Sequence, residues 1–183
     1  QHLLAALLLR PRRRHRERLA GLLYPEIPER QGRRRLSHAL WLLRKSLPDL
    51  PLETDYQEIG LDLTQVWSDV QAFRHGAAQD GSEHRLAALR LYRGDLLENL
   101  YDDWLTEERE ALYLEYVRLS HKTCDTLLQQ KAYQDALPIA EQLVQKNPFD
   151  ERALRTLMRC YRGVGRQGAA LSAYDRFVTV AAD

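Results

Sequence analysis

Arginine side chains at helical spacing are the first candidates for binding chemistry in this chain. One row consists of Arg152, Arg155, Arg159 and Arg162, and Arg118 and His121 extend it from an earlier stretch. Spacings of three, four and three keep the four arginines on one side of a helix, which is its inner face if the helices pair as in a normal helical repeat. Guanidinium groups bind carboxylates and phosphates through paired hydrogen bonds, so the row predicts a groove for an acidic partner. The alternative is internal pairing with the acidic residues Asp102, Asp103, Glu107, Glu108 and Glu110.

A second row lies near the N-terminus, on a helix predicted for residues 33–47. Its apolar stripe, which should face the core, consists of Leu36, Leu40, Leu43 and Leu47. The candidate residues for binding nucleic acid on the remaining surface are Arg33, Arg34, Ser37, His38, Trp41, Arg44 and Lys45. Cations, an imidazole and an indole on an outward face can contact phosphates and base edges in a major groove. The alternative is a polar outer face on which Trp41 anchors a protein contact.

Catalytic and metal-binding patterns find no match in the sequence. The runs GxxxxGKS/T, HExxH, GxSxG and GxGxxG do not occur. His121 and Cys124 share a helix face, but no second pair of ligands lies near them in the sequence. Helix capping explains Asp102 and Asp103 more simply than acid–base work does. We therefore expect a protein that is not an enzyme and that holds neither metal nor cofactor.

Charge is divided between the two ends of the chain. Residues 1–45 carry 12 Lys and Arg against 3 Asp and Glu, a formal +9, and the remaining residues carry 15 against 23, a formal −8. A basic head on an acidic body indicates a polyanion-binding module joined to a regulatory or interaction module. Duplex DNA is the first candidate polyanion, because neutralised phosphates release condensed counterions. A solvated basic helix face is the alternative.

The spacing of the cysteines and the length of the apolar run indicate a cytoplasmic protein. Cys124 and Cys160 are far apart and form no disulfide framework, which fits the reducing cytoplasm. The apolar run 3–9 is too short to span a membrane, so it is interpreted as a core helix. The chain begins at Gln1 rather than at methionine, and we expect it to be a fragment.

Glycine and proline divide the first third of the chain into short elements. Helices are predicted for residues 3–9, ending at Arg10-Pro11, and for residues 14–23, ending at Tyr24-Pro25. Pro28 and Gly32 mark the connection to the helix at 33–47. Alternating apolar residues then predict a hairpin of strands 52–54 and 58–63. Three helices followed by a β-ribbon is the order of a winged helix-turn-helix.

Two segments resemble one bacterial family. The segment GRRRLSHALWLLRKSLPD resembles the recognition helix of response-regulator-type winged helices. The segment LYRGDLLENLYDDWLTEERE resembles the bacterial transcriptional activator domain of the antibiotic-pathway regulatory proteins. Two departures are visible: the family's N-terminal strands are absent, and Trp41-Leu42 stands where Ser-Arg is usual. The resemblance implies transcription regulation, with duplex DNA and RNA polymerase or another acidic protein as partners and with a possible homodimer.

The second half is predicted to be helical throughout and to contain a repeat. A shift of 34 residues superposes Ala136-Leu137 on Ala170-Leu171, Cys124 on Met158 and Leu143 on Phe177. This period is typical of tetratricopeptide repeats, and Gly165 falls at the turn between the helices of the second copy. Two earlier helices, containing Trp67, Val70 and Phe73 and then Leu86, Leu89 and Leu91, should supply a third hairpin.

Together these patterns predict a mainly α protein of two domains. Residues 1–64 form a winged helix-turn-helix with a small β-hairpin, and residues 65–183 form a tetratricopeptide-like activator domain. The predicted function is regulation of transcription by a DNA-binding head and an interacting body. The alternative is an interaction module of a larger regulator whose degenerate head does not bind DNA.

Overall fold

The computed structural model describes residues 1–10 and 12–182, with side chains through residue 180. Within this part the chain is mainly helical and has one small antiparallel sheet, which confirms the predicted fold class. The helices are α1 His2–Leu9, α2 Arg16–Leu23, α3 Glu29–Ser46, α4 Asp69–Ala78, α5 Ser82–Leu89, α6 Asp103–Gln129, α7 Tyr133–Lys146, α8 Glu151–Gly163 and α9 Gln167–Ala182. The strands are β1 Arg14–His15, β2 Leu52–Thr54 and β3 Glu58–Leu61, and a 3-10 turn follows at Leu63–Gln65.

The chain divides into two compact units. The head unit comprises Gln1–Ala72 and Gly94–Ala111, and the repeat unit comprises Phe73–Arg93 and Leu112–Asp183. Both units therefore contain part of α4 and part of α6. The domain boundary predicted after residue 64 stays a prediction.

The sheet of the head unit has the strand order β1-β3-β2. Arg14 is opposite Ile59 in the first pair, and Leu52 is opposite Leu61 in the second. Residues 14 and 15 were expected to begin the second helix, but they form β1, because their backbone pairs with β3 before α2 begins at Arg16. The end of α1 at Leu9 agrees with the sequence, and Pro11 itself lies outside the described residues.

Helix α3 begins four residues earlier than predicted. Pro28 is its N-cap residue, and the first turn starts directly after it at Glu29. Proline is tolerated at this end of a helix because the N–H groups of the first turn have no partner within the helix. Gly32 was expected to mark a connection, but it lies buried inside α3. A Cβ at Gly32 would lie 3.8 Å from Ala20 Cβ, so α3 passes close to α2 at this point.

The apolar stripe of α3 packs into the head core over most of its length. Leu36 and Leu40 are buried together with Leu19 and Ile59. Leu47, the last member of the predicted stripe, is 41% exposed, because α3 ends at Ser46 and the chain turns away. The buried leucines of α1 confirm that the apolar run 3–9 is a core helix.

The segment between α5 and α6 is not helical, contrary to the sequence prediction. The Arg109 guanidinium holds this loop by donating hydrogen bonds to the carbonyl oxygens of Leu96, at 2.7 Å, and of Leu97, at 2.6 Å. It also donates to Leu100 O. Leu97 has a φ of 50°, a left-handed conformation that a helix cannot accommodate. A side chain of the following helix thus replaces the backbone pairing that a helix in this segment would supply.

Helices α6 to α9 form the repeat predicted from the period of 34. Lys131 and Gly165, which are 34 residues apart, both adopt positive φ values, 58° and 79°, in the two turns between paired helices. Ala136 and Ala140 are fully buried, as expected for the close crossing. A Cβ at Gly163 would lie 2.3 Å from Tyr133 Cγ, so α7 and α8 pack with no room for a side chain there.

Helices of the earlier hairpin also pack in the repeat unit. Arg74 donates hydrogen bonds of 2.9 and 3.0 Å to the two carboxylate oxygens of Glu115, and the rings of Tyr92 and Tyr116 stack at 4.2 Å between centroids. Trp67 was expected on the apolar side of this hairpin. It precedes α4 and is 75% exposed, because the helix begins only at Asp69.

Candidate functional site

The exposed face of α3 carries a continuous polar and aromatic cluster. The His38 and Trp41 rings stack with centroids 5.9 Å apart and planes at 21°. Lys45 Nζ lies 5.2 Å from the Trp41 ring centroid, on the next turn of the helix. Trp41 is 55% exposed, and Arg34 is exposed two turns earlier on the helix. We call Arg34, His38, Trp41 and Lys45 the recognition face.

The three other predicted nucleic-acid residues have partners inside the head unit. Arg33 pairs with Glu17 at 2.8 Å and with Glu29 at 3.0 Å. Ser37 Oγ donates to Arg33 O at 3.0 Å, a bond within α3. Arg44 donates to the Thr54 hydroxyl on β2, which ties the end of α3 to the hairpin. These contacts position α3, and they leave Arg34 and Lys45 as the outward cations of the row.

The tip of the hairpin is a second exposed element that sequence reasoning did not single out. Asp55 Oδ1 accepts hydrogen bonds of 2.7 Å from the backbone N–H groups of Gln57 and Glu58, which closes the turn. These bonds, with a smaller effect of Arg13, hold the pKa of the Asp55 carboxyl below its usual value. Tyr56 projects from the turn and is 94% exposed. The signal in the sequence was a tyrosine at the centre of a polar hairpin turn.

A groove lies between the hairpin tip and helix α3. Its volume is about 660 Å³. The residues that line it are His15, Arg16, Glu17, Arg33, Leu36, Ser37, Tyr56 and Gln57. Arg16 Nε donates to Asp55 O at 3.1 Å, so the start of α2 holds the hairpin at one wall of the groove. Arg33 and Ser37 therefore reach this groove rather than the recognition face.

The arginine row is partly assembled on α8. Arg155, Arg159 and Arg162 line a groove of about 630 Å³ between α8 and α9. All three are exposed, opposite the buried residues Leu157 and Cys160. The remaining lining residues are Met158, Gln167, Ala170 and Leu171. We call this the α8–α9 groove.

The other members of the predicted row lie elsewhere. Arg152 pairs with Asp125 at 2.6 Å. Arg118 lines a different groove, of about 340 Å³, beside Arg74 and Glu115. His121 is buried, and its Nε2 lies 2.9 Å from Asp150 Oδ2. The row predicted to run continuously from Arg118 to Arg162 is thus divided among four surroundings.

The acidic stretch predicted as the internal partner of the row has other contacts. Glu108 accepts a hydrogen bond of 2.8 Å from Arg10, and Asp102 Oδ2 lies 2.7 Å from His2 Nδ1. The Arg10 guanidinium also lies 5.7 Å from the Trp104 ring centroid. Asp103, Glu107 and Glu110 are exposed on α6.

Both cysteines are free and buried in the repeat unit. Burial raises the pKa of the Cys124 thiol to about 12 and that of Cys160 to about 11. Cys124 Sγ points at Ala136 O at 3.9 Å, and the His121 ring is bound to Asp150, so the two side chains have separate partners. None of the helices among the described residues combines the length and the apolar composition that spanning a bilayer requires.

The fold defines a class of protein. A helix-rich head with an exposed third helix and a β-hairpin is a winged helix-turn-helix, and the second unit is a tetratricopeptide-like helical repeat. This combination is an architecture of transcription regulators.

Residues 61–183 match the bacterial transcriptional activator domain family, and the chain belongs to that family. This confirms the resemblance seen in the sequence. Among solved structures, the chain is similar to Mycobacterium tuberculosis EmbR in complex with a low affinity phosphopeptide, with a TM-score of 0.70 and 23% identity. The match covers 99% of this chain and 53% of that one, so the chain spans about half the length of EmbR. A comparison with curated protein sequences gave no match.

Proposed function

We propose that this chain is a DNA-binding transcription regulator whose repeat unit receives a protein partner. The recognition face is the observation that supports DNA binding. It places two outward cations, a stacked imidazole and an indole on successive turns of α3. Such a helix presents phosphate contacts at its ends and base-edge contacts between them.

The hairpin supplies a second contact to the same duplex. Tyr56 is fully presented to solvent at the tip, and Arg16 lies at the wall of the adjoining groove. A helix in the major groove and a hairpin beside it let one domain contact two stretches of phosphate backbone. Gly60 lets the segment before β1 lie close against β3, because a Cβ there would lie 2.8 Å from Arg13 Cγ.

Salt-dependent binding to duplex DNA tests the proposal. In Arg34→Ala and Lys45→Ala variants of the full chain we expect weaker binding to all sequences. We also expect the slope of log K against log salt to become shallower by about 0.9 for each phosphate contact removed. Fluorescence anisotropy of a labelled duplex measures both quantities.

Arg90→Ala is the matched control, because Arg90 is an exposed arginine of the repeat unit. It should leave both affinity and slope unchanged. If the Arg34→Ala, Lys45→Ala double variant binds DNA as the wild type does, α3 is not the DNA-binding helix. The chain would then be the interaction module of a larger regulator.

The proposed role is non-catalytic and cytoplasmic, and the proposed partners are duplex DNA and a protein that the repeat unit binds. The two buried free thiols are consistent with a reducing compartment. RNA polymerase is a candidate protein partner through the family resemblance, and a second copy of the chain is another.

A further inference from the structure

The α8–α9 groove joins a basic wall to an apolar floor. Arg155, Arg159 and Arg162 form the wall at spacings of four and three along α8. Ala170 on α9 is nearly buried at the base, and Met158 and Leu171 add apolar surface. A surface of this kind matches a ligand that is acidic on one side and apolar on the next.

Carboxylates in the described part of the chain do not neutralise this wall. No Asp or Glu among the described residues lies within ion-pair distance of Arg159 or Arg162. No acidic side chain is among the residues that line the groove. Arg155 lies 3.9 Å from Glu151, but both side chains are about 70% exposed, so this contact is weak. Like charges three and four residues apart on a helix repel one another. A bound acidic group would therefore relieve a repulsion that the unbound groove retains.

The apolar part of the surface continues along α9. Leu171 is 65% exposed, Tyr174 50% and Val178 47%, and their spacings of three and four place them on one face. Helical repeats bury such a face against the next repeat or make it polar where the array ends. On α9 this face of Leu171, Tyr174 and Val178 is apolar, and no other helix of the described part of the chain packs over it.

We propose that the α8–α9 groove binds an acidic amphipathic helix of a partner protein. Carboxylates at spacings of four and three on that helix would pair with Arg155, Arg159 and Arg162, and its apolar residues would pack on Leu171 and Met158. Helix-in-groove recognition of this kind uses anchors one turn apart, and the three arginines span about 10 Å along α8. The proposal rests on the proposed partner-binding role of the repeat unit and names the chemistry of that partner.

A pair of synthetic peptides tests this proposal on the full chain. The first carries glutamates spaced four and three residues apart with leucines on the adjoining helix face, and the second has the same composition in scrambled order. We expect the patterned peptide to bind at least about tenfold more tightly than the scrambled one. Arg159→Glu should weaken its binding by at least about tenfold, and Leu171→Ser should weaken it as well. Arg90→Glu, on an exposed position outside the groove, should leave binding unchanged.

Two results would overturn the proposal. Equal binding of the patterned and scrambled peptides would show a general affinity for polyanions. Self-association of the wild type that Arg159→Glu abolishes would show that a second copy occupies the groove, through the exposed carboxylates Asp103, Glu107 and Glu110, which have the same spacing. Duplex DNA binding of the same variants is measured in parallel. If the variants still bind duplex DNA while peptide binding fails, the groove proposal is wrong and the DNA-binding proposal is unaffected.

Discussion

At the scale of single residues, the buried thiols give the repeat unit a stability limit at high pH. The pKa of Cys124 rises from 9.0 to about 12 because burial disfavours the thiolate, with a smaller effect of Cys160. As the pH passes 9, the unfolded chain loses this proton while the folded chain retains it. The contribution to stability is therefore complete below that pH and is lost towards pH 12.

We predict that the melting temperatures of the wild type and a Cys124→Ala variant converge as the pH is raised from about 8 to about 11. Calorimetry of both proteins over this range measures the difference. The alanine variant has no thiol to ionise, so titrations of other groups cancel between the two proteins. A difference that stays constant with pH would mean that the Cys124 thiol ionises alike in the folded and unfolded chains.

The Asp150 carboxylate binds two different parts of the repeat unit. Its Oδ1 accepts a hydrogen bond of 2.9 Å from Ala153 N and so caps α8, while its Oδ2 accepts from His121 Nε2. His121 Nδ1 is already buried without a hydrogen-bond partner among the described residues. Removal of the carboxylate would therefore uncap α8 and leave the second ring nitrogen unpaired.

For Asp150→Ala we predict a loss of about 2–3 kcal/mol in the free energy of unfolding, the sum of a cap and a buried hydrogen bond. Urea denaturation measures it. Asp150→Asn retains an oxygen for the cap and should lose less than about 1 kcal/mol. Equal losses in the two variants would assign the effect to charge rather than to capping.

At the scale of elements, the close packing of α7 and α8 depends on a glycine at the end of α8. The Tyr133 ring occupies the space where a Cβ of Gly163 would lie. Gly168, near the start of α9, has no atom within 4 Å of the corresponding position. An alanine at Gly163 would therefore clash with Tyr133, whereas an alanine at Gly168 would change only the helix propensity.

We predict that Gly163→Ala destabilises the protein by about 1–3 kcal/mol, because the helices must separate or Tyr133 must move. Gly168→Ala should be neutral or stabilising by up to about 1 kcal/mol. Thermal unfolding of both variants measures the contrast. A stable Gly163→Ala protein would show that the Tyr133 ring shifts at little cost.

Elements with strong periodicity were predictable, and those held by long-range contacts were not. The stripe of α3 and the 34-residue repeat follow from local spacing of apolar residues, which the sequence displays directly. Strand β1 forms because Arg14 pairs with Ile59 across 45 positions of chain, and the loop before α6 depends on Arg109. No local pattern contains either contact.

The candidate site was predictable to the same degree. Helical spacing placed Arg34, His38, Trp41 and Lys45 on one face. The same reasoning did not show that Glu17 and Glu29 bind Arg33, or that the arginine row of α8 is separate from His121. Such pairings depend on the packing of neighbouring helices, which the spacing within one helix does not contain.

At the scale of the whole molecule, the near-neutral net charge conceals a basic N-terminal segment. The total is +1, whereas residues 1–45 carry a formal +9. Salt at about 0.1 M screens charges beyond about 10 Å, so a polyanion responds to the local charge and not to the total. The effect of a charge substitution on DNA affinity should therefore depend more on where the residue lies than on the resulting net charge.

We predict that reversal of two exposed arginines in the basic segment, Arg18→Glu with Arg30→Glu, lowers affinity for duplex DNA at least about tenfold at about 50 mM salt. The matched double variant Arg90→Glu with Arg93→Glu makes the same change in net charge on exposed positions of the repeat unit. Its affinity should fall less than about twofold, because neither residue belongs to the basic segment that carries the proposed DNA contacts. Anisotropy titrations with one labelled duplex compare the two. Equal losses would mean that the total charge governs association, and the basic segment would then have no special part in holding DNA.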